Sequence, residues 1–156
     1  MPVWPRAVAL AALAAGQRTV AVTGTHGKTT TTAMCVVALQ AAGLDPSYAL
    51  GGQLTSQPGA AGNAHAGRGD VFVLEADESD GSFLAYHPFV GLVTNVEADH
   101  LDAYGDVQAY QAAFVRFVDT IRPGGLCVVC ADDSSAARLV PVAERRGLRV
   151  IRYGEQ

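Results

Sequence analysis

The feature that most restricts the fold is a glycine-containing turn between an apolar run and a longer helical run. Residues 19–23 are apolar or β-branched and predict a strand, whereas residues 28–42 have the composition and spacing of a helix that ends at Gly43. The turn between them reads GTHGKTT over residues 24–30. A strand, a tight turn and a helix make the first half of a βαβ unit, so a parallel sheet covered by helices is expected.

The rest of the chain repeats this alternation. Further short apolar strands are predicted at residues 48–50, 71–75, 90–94, 126–130 and 148–153. Further helices are predicted at residues 7–15, 107–121 and 135–146. The stretch 51–69 has little periodicity and is interpreted as a long surface loop. With 156 residues, the chain is expected to form one α/β domain with an open, mostly parallel, doubly wound sheet.

Composition disfavours several classes of partner. The formal net charge of −4 provides no basic surface for nucleic acid or an anionic membrane. The apolar run at residues 7–15 is too short to span a bilayer; we interpret it as a helix, with a signal peptide as the disfavoured alternative.

The three cysteines, Cys35, Cys127 and Cys130, cannot all pair within one chain, so reduced thiols in a cytoplasmic protein are expected. A redox or metal role for the last two is disfavoured, because a three-residue offset in a strand separates their side chains.

Lys28 is the only lysine among 11 basic residues, and it lies inside the glycine turn. Gly24 and Gly27 allow the backbone to point amides at phosphate oxygens, and the start of the helix adds a partial positive charge. Lys28 is placed to reach the β- and γ-phosphates of a nucleotide, and the Thr29 hydroxyl to bind magnesium. The predicted phosphate-binding residues are Gly24, Thr25, His26, Gly27, Lys28, Thr29 and Thr30.

The turn departs from the general phosphate-binding pattern at its start. That pattern has a glycine five residues before Gly27, where this chain has Val22. We interpret the turn as a shortened variant. An ordinary strand-to-helix turn with no ligand is the alternative.

Two acidic segments follow predicted strands and are expected beside the turn, because the carboxyl ends of parallel strands meet at one edge of the sheet. Residues 75–80 contain four carboxylates, whose repulsion a divalent metal would relieve; Glu75, at the strand end, is the best-placed ligand. Residues 94–102 place His100 among three carboxylates, where it could bind a second magnesium ion or orient a reacting group. The alternatives are a solvated acidic loop and a structural histidine. Candidate substrate contacts are Ser79, Ser82 and Asn95.

The strings GTHGKTTTT, EADESDGSF and TNVEADHLDAYGD, in this order, resemble the central ATP-binding domain of the Mur ligases of peptidoglycan synthesis. The resemblance covers essentially the whole chain and is strongest to the branch that joins L-alanine to UDP-N-acetylmuramate. It implies that Lys28 binds the γ-phosphate, that Thr29 and Glu75 bind one magnesium ion, and that His100 binds a second. It also implies that the muramate carboxylate becomes an acyl phosphate, which the amine of L-alanine attacks.

Two departures from the family pattern bear on this assignment. Several sister ligases have a carbamylated lysine where this chain has Phe114, and the alanine-adding branch is expected to lack it. The family also joins this domain to an N-terminal UDP-sugar domain and a C-terminal domain. Residues 1–156 are therefore expected to be a partial central domain that is inactive alone.

The alternative functions are a nucleotide-binding module without ligase activity and the related ligase that attaches a recycled tripeptide to UDP-N-acetylmuramate. The oligomeric state is not predicted.

Overall fold

Strands of the described chain form one sheet in this computed structural model, which describes residues 3–54, 62–99 and 101–155. In chain order they are β1 Arg18–Thr23, β2 Ser47–Leu54, β3 Gly62–His65, β4 Val71–Glu75, β5 Val90–Val93, β6 Leu126–Cys130 and β7 Arg149–Tyr153. Across the sheet the order is β3-β2-β4-β1-β5-β6-β7. Neighbours are parallel except for β2 and β3, which are antiparallel. The predicted open, mostly parallel α/β sheet is confirmed.

Helices precede β1 and lie between β1 and β2, between β5 and β6, and between β6 and β7. They are α1 Arg6–Leu13, α2 Lys28–Ala41, α3 Leu101–Tyr104, α4 Val107–Thr120, α5 Ser134–Ala137 and α6 Val140–Arg145, with a 3₁₀ turn at Ser82–Ala85. Local capping explains where α4 begins, because the Asp106 carboxylate accepts a hydrogen bond from the Ala109 amide at 2.7 Å. Among the described residues, no helix is both long and apolar enough to cross a membrane.

The larger hydrophobic core lies between α4 and the sheet. The face of α4 that points inward is apolar at helical spacing and buries Tyr110, Ala113, Phe114, Phe117 and Val118. The Phe83 ring stacks on Phe117 with centroids 5.3 Å apart and meets Phe114 edge to face at 5.5 Å. This packing holds the segment after β4 against α4.

Phe114→Ala is expected to lower the free energy of unfolding by about 3–5 kcal/mol, because it leaves a cavity in the core. The Phe114 side chain is fully buried. Denaturant unfolding followed by circular dichroism measures the loss. The control is Val115→Ala on the exposed side of α4, with an expected loss below about 1 kcal/mol. Equal losses in the two variants would contradict the assigned packing of α4.

Two predictions from the sequence are wrong. The stretch 51–69 is not wholly a loop: β2 extends to Leu54 and pairs antiparallel with β3, while residues 55–61 lie outside the described part of the chain. Its glycine- and alanine-rich composition has low strand propensity, and the antiparallel pairing between β2 and β3 overrides that preference. The helix predicted over residues 135–146 is divided into α5 and α6. Pro141, which has no amide hydrogen, occupies the first turn of α6.

Candidate phosphate-binding site

The turn after β1 lies at the carboxyl edge of the sheet. Because β1 is central, with β4 on one side and β5 on the other, the segments following both neighbours flank this turn. Glu75 ends β4, and Thr94 follows β5 directly. The expected convergence of three segments at one edge is therefore present among the described residues. His100 lies outside them.

The backbone of the turn requires glycine at two positions. Gly24 has φ 131° and Gly27 has φ 80°, both in the region that side chains disfavour. A Cβ atom on Gly24 would overlap the Thr94 hydroxyl and lie 2.9 Å from the Asn95 amide nitrogen. Val22, which stands where the general pattern has its first glycine, is fully buried inside β1. The turn thus starts two residues later, which explains the irregular sequence pattern.

Thr94 and Asn95 fix the shape of the turn through hydrogen bonds to its backbone. The Thr94 hydroxyl donates to the His26 carbonyl at 2.7 Å. The Asn95 side chain accepts from the His26 amide at 2.8 Å and donates to the His26 carbonyl at 3.1 Å. The Thr25 amide donates to the Asn95 carbonyl at 3.1 Å. The sequence predicts Asn95 as a substrate contact, and no local pattern in it indicates this supporting role.

Thr25 connects the turn to α4 and is buried. The Tyr110 hydroxyl lies 2.9 Å from Thr25 Oγ1, and the Glu97 amide donates to the same oxygen at 3.0 Å. Burial raises the pKa of Tyr110 well above its ordinary value, which favours the neutral phenol. His26 and Thr30, by contrast, are exposed, and the His26 ring lies 3.8 Å from the Glu97 carboxylate.

The Lys28 ammonium lies over the turn and is held by three oxygen atoms. It donates to the carbonyls of Gly24 and Thr25 at 2.8 and 3.2 Å. It also forms an ion pair with Glu78 Oε2 at 2.7 Å. The Glu78 side chain is fully buried; burial raises the pKa of its carboxyl group, and the Lys28 contact opposes that rise. In the sequence, Glu78 is only one of four neighbouring acidic residues, because its burial depends on tertiary packing.

Thr29 and Glu75 form the second polar pair of the site. The Thr29 hydroxyl donates to Glu75 Oε1 at 3.0 Å, and the Gly51 amide donates to Glu75 Oε2 at 2.7 Å. Magnesium binds oxygen ligands at about 2.0–2.1 Å in an octahedron, so two adjacent ligands are about 3 Å apart. The Thr29 and Glu75 oxygens match that spacing and are hard ligands of the kind magnesium prefers.

The described residues do not form a complete protein metal site. Among them, no group of three or more His, Cys, Asp or Glu side chains is arranged to hold a metal ion. At nucleotide sites, one or two protein oxygens bind magnesium together with phosphates and waters, and the Thr29 and Glu75 oxygens are two such atoms. The residues present therefore fit a magnesium ion that arrives with phosphate ligands.

The two candidate serines lie in turns of the acidic segment. The Ser79 hydroxyl donates to the Asp77 carboxylate at 3.0 Å. The Ser82 amide donates to Asp80 at 2.8 Å, and hydrogen bonds from Ser82 lower the pKa of the Asp80 carboxyl group. These contacts shape the segment that brings Glu78 to Lys28.

Comparison with known proteins finds one family repeatedly. A family model described as the Mur ligase middle domain matches residues 22–156. The UDP-N-acetylmuramate-L-alanine ligase of Mycobacterium bovis (strain BCG / Pasteur 1173P2) is 59% identical over 155 residues, and that of Mycobacterium ulcerans (strain Agy99) is 58% identical. Each alignment covers 99% of this chain but 31% of the relative. The chain thus spans about a third of the length of these relatives.

Solved structures show the same architecture. The UDP-N-acetylmuramate-alanine ligase of Thermotoga maritima superposes with a TM-score of 0.73 and 34% identity, covering 85% of this chain and 29% of that one. The UDP-N-acetylmuramate:L-alanyl-gamma-D-glutamyl-meso-diaminopimelate ligase of Neisseria meningitides gives a TM-score of 0.75 and 30% identity, covering 89% and 46%. Both similarities support the fold described above.

Proposed function

This chain belongs to the Mur ligase family, and from that membership we propose that it supplies the ATP and magnesium site of an enzyme that joins L-alanine to UDP-N-acetylmuramate. The observation that carries the proposal is the placement of Lys28, Thr29 and Glu75 around a glycine turn at the carboxyl edge of the sheet. The identity of 59% to ligases of that name supports the choice of reaction. The proposed activity belongs to the full-length protein.

In the proposed mechanism, the chain positions charges and provides no covalent nucleophile. Backbone amides of the turn and the start of α2 bind phosphate oxygens. Lys28 leaves the carbonyls of Gly24 and Thr25 and binds the γ-phosphate, where its charge stabilises the transferring group. Thr29 and Glu75 would hold magnesium, which would neutralise phosphate charge, and His100 is the proposed ligand of a second ion.

The proposed reaction has two steps. A carboxylate oxygen of UDP-N-acetylmuramate attacks the γ-phosphorus, the bond to ADP breaks, and an acyl phosphate forms. The neutral amine of L-alanine then attacks the acyl carbon, phosphate leaves, and the amine loses a proton as the amide forms. Each step develops negative charge on phosphoryl or carbonyl oxygens, and Lys28 supplies the positive charge that stabilises it; a magnesium ion held by Thr29 and Glu75 would supply more.

Two other functions can be separated from this one by a phosphate-release assay run beside a calorimetric titration with magnesium-ATP. The Neisseria meningitides structure, 30% identical, is of a ligase that uses a tripeptide, so that amine donor is the second candidate. Full-length protein is incubated with magnesium-ATP, UDP-N-acetylmuramate and either L-alanine or L-alanyl-γ-D-glutamyl-meso-diaminopimelate. We expect phosphate release that depends on L-alanine. Release only with the tripeptide would support the second candidate, and ATP binding without release would indicate a nucleotide-binding module.

Glu75→Gln is expected to raise the magnesium concentration needed for half-maximal ATP binding by at least about tenfold, because a neutral amide oxygen replaces a carboxylate ligand. Calorimetric titrations with ATP across a magnesium series measure this shift. The matched control is Glu144→Gln on α6, an exposed side chain whose nearest cation, Arg152, is 3.9 Å away. An unchanged magnesium requirement in Glu75→Gln would remove Glu75 from the metal site.

A further inference from the structure

The proposed mechanism makes no use of Glu78, the buried partner of Lys28. The Glu78 side chain has no exposed surface, Lys28 is 13% exposed, and the two charged groups are 2.7 Å apart. The segment is held from a second direction, since the Tyr104 hydroxyl donates to the Glu78 carbonyl. Glu78 is therefore fixed in place beside the ammonium group that the mechanism sends to the γ-phosphate.

A buried carboxylate at this position opposes the binding of an anion. Coulomb repulsion is strong where water is excluded, and a phosphate that reaches Lys28 approaches Glu78 as well. Burying such a pair adds little to folding stability, because the cost of desolvation offsets the attraction. The pair is thus better explained by what it does to ligand binding than by a contribution to the fold.

The charges around the turn favour phosphate that arrives together with a metal. Lys28 contributes one positive charge at the turn, while Glu75 and Glu78 contribute two negative charges. A polyphosphate without a metal therefore meets side chains with more negative than positive charge, and only the backbone amides and the start of α2 offset the excess. A divalent cation at the Thr29 and Glu75 oxygens reverses that balance.

We propose that Glu78 is a positioning residue that acts through Lys28: it keeps the ammonium over the turn and weakens the binding of polyphosphates that lack a divalent metal. This inference rests on the proposed nucleotide site and adds a selection for the metal complex of the nucleotide. A ligand that replaces Glu78 as the partner of Lys28 has to compete with the ion pair. Removing the carboxylate therefore strengthens binding, and most strongly where no metal offsets the repulsion.

The test compares ADP binding with and without metal, since ADP binds without turnover and Lys28 is placed to reach its β-phosphate. Full-length wild type, Glu78→Gln and the control Glu144→Gln are titrated with ADP in magnesium and, separately, in EDTA. In EDTA, Glu78→Gln is expected to bind ADP at least about tenfold more tightly than wild type, because one buried negative charge is gone. In magnesium the change is expected to stay below about threefold, and the control is expected to match wild type in both solutions.

Other outcomes would overturn the inference. If Glu78 has only a structural role, Glu78→Gln would weaken ADP binding equally in both solutions. An equal gain in ADP affinity in both solutions would show that Glu78 does not select for the metal complex. If Glu78→Gln does not fold, Glu78→Asp serves instead: it withdraws the carboxylate by one methylene, and a smaller gain in EDTA, about threefold, is expected. No gain in that variant overturns the inference. Wild type that fails to bind ADP in magnesium would contradict the proposed function itself, a result distinct from all of these.

Discussion

Lys28→Ala in the full-length protein is expected to reduce L-alanine-dependent phosphate release by at least about 10²–10³-fold, because the charge that stabilises the transferring phosphoryl group is lost. The chain has no other lysine that could substitute. Steady-state kinetics with a coupled phosphate assay measure the effect. We expect kcat to fall more than ATP affinity, since the charge on the transferring group is largest in the transition state.

Two controls keep this result interpretable. Arg145→Ala removes an exposed positive charge from α6 and is expected to retain wild-type turnover. Lys28→Ala also leaves Glu78 buried without the ammonium, so its folding is checked by circular dichroism before kinetics. Undiminished turnover in a folded Lys28→Ala protein would refute the assignment of the turn as the phosphate site.

Gly24→Ala is expected to weaken magnesium-ATP binding by at least about 100-fold, because the turn cannot keep its shape with a side chain at this position. The added Cβ would overlap the Thr94 hydroxyl and lie 2.9 Å from the backbone nitrogen and oxygen of Asn95, at a φ of 131°. Moving this backbone would disturb the hydrogen bonds that position the amides of the turn. Calorimetric titration with magnesium-ATP measures the loss.

Gly43→Ala is the matched control for this substitution. Gly43 also has a positive φ, 80°, but no heavy atom lies within 4 Å of its added Cβ. It ends α2 at the opposite end from the turn, so we expect a loss of stability of about 1 kcal/mol and unchanged ATP affinity. Equal losses of ATP affinity in the two glycine variants would show that the effect is not specific to the turn.

The elements that the sequence predicts correctly are those whose determining interactions are local. The bounds of β1 and α2 follow from a β-branched run, two glycines and a helical composition, all within one stretch of chain. The convergence of Glu75 and Thr94 on the turn followed from one general property, that parallel strands end at the same edge. That property holds here because β4 and β5 both pair with β1.

The parts that sequence reasoning missed depend on contacts distant in the chain. β3 has weak strand propensity and forms because β2 provides an edge to pair with. Glu78 resembles its acidic neighbours in composition, and only the packed fold separates it from them by burying it against Lys28. The hydrogen bonds between the Asn95 side chain and the His26 backbone join residues that are 69 positions apart, so no local sequence pattern indicates them.

The most direct test of the phosphate site is a crystal structure of the full-length protein with magnesium and a non-hydrolysable ATP analogue. We expect the phosphates to bind the backbone amides of residues 24–30, with the Lys28 ammonium moved from Glu78 to the γ-phosphate. Magnesium is expected to bind the Thr29 and Glu75 oxygens together with phosphate oxygens. Phosphates bound elsewhere, with Lys28 still paired to Glu78, would contradict the central claim that this turn holds the triphosphate of ATP.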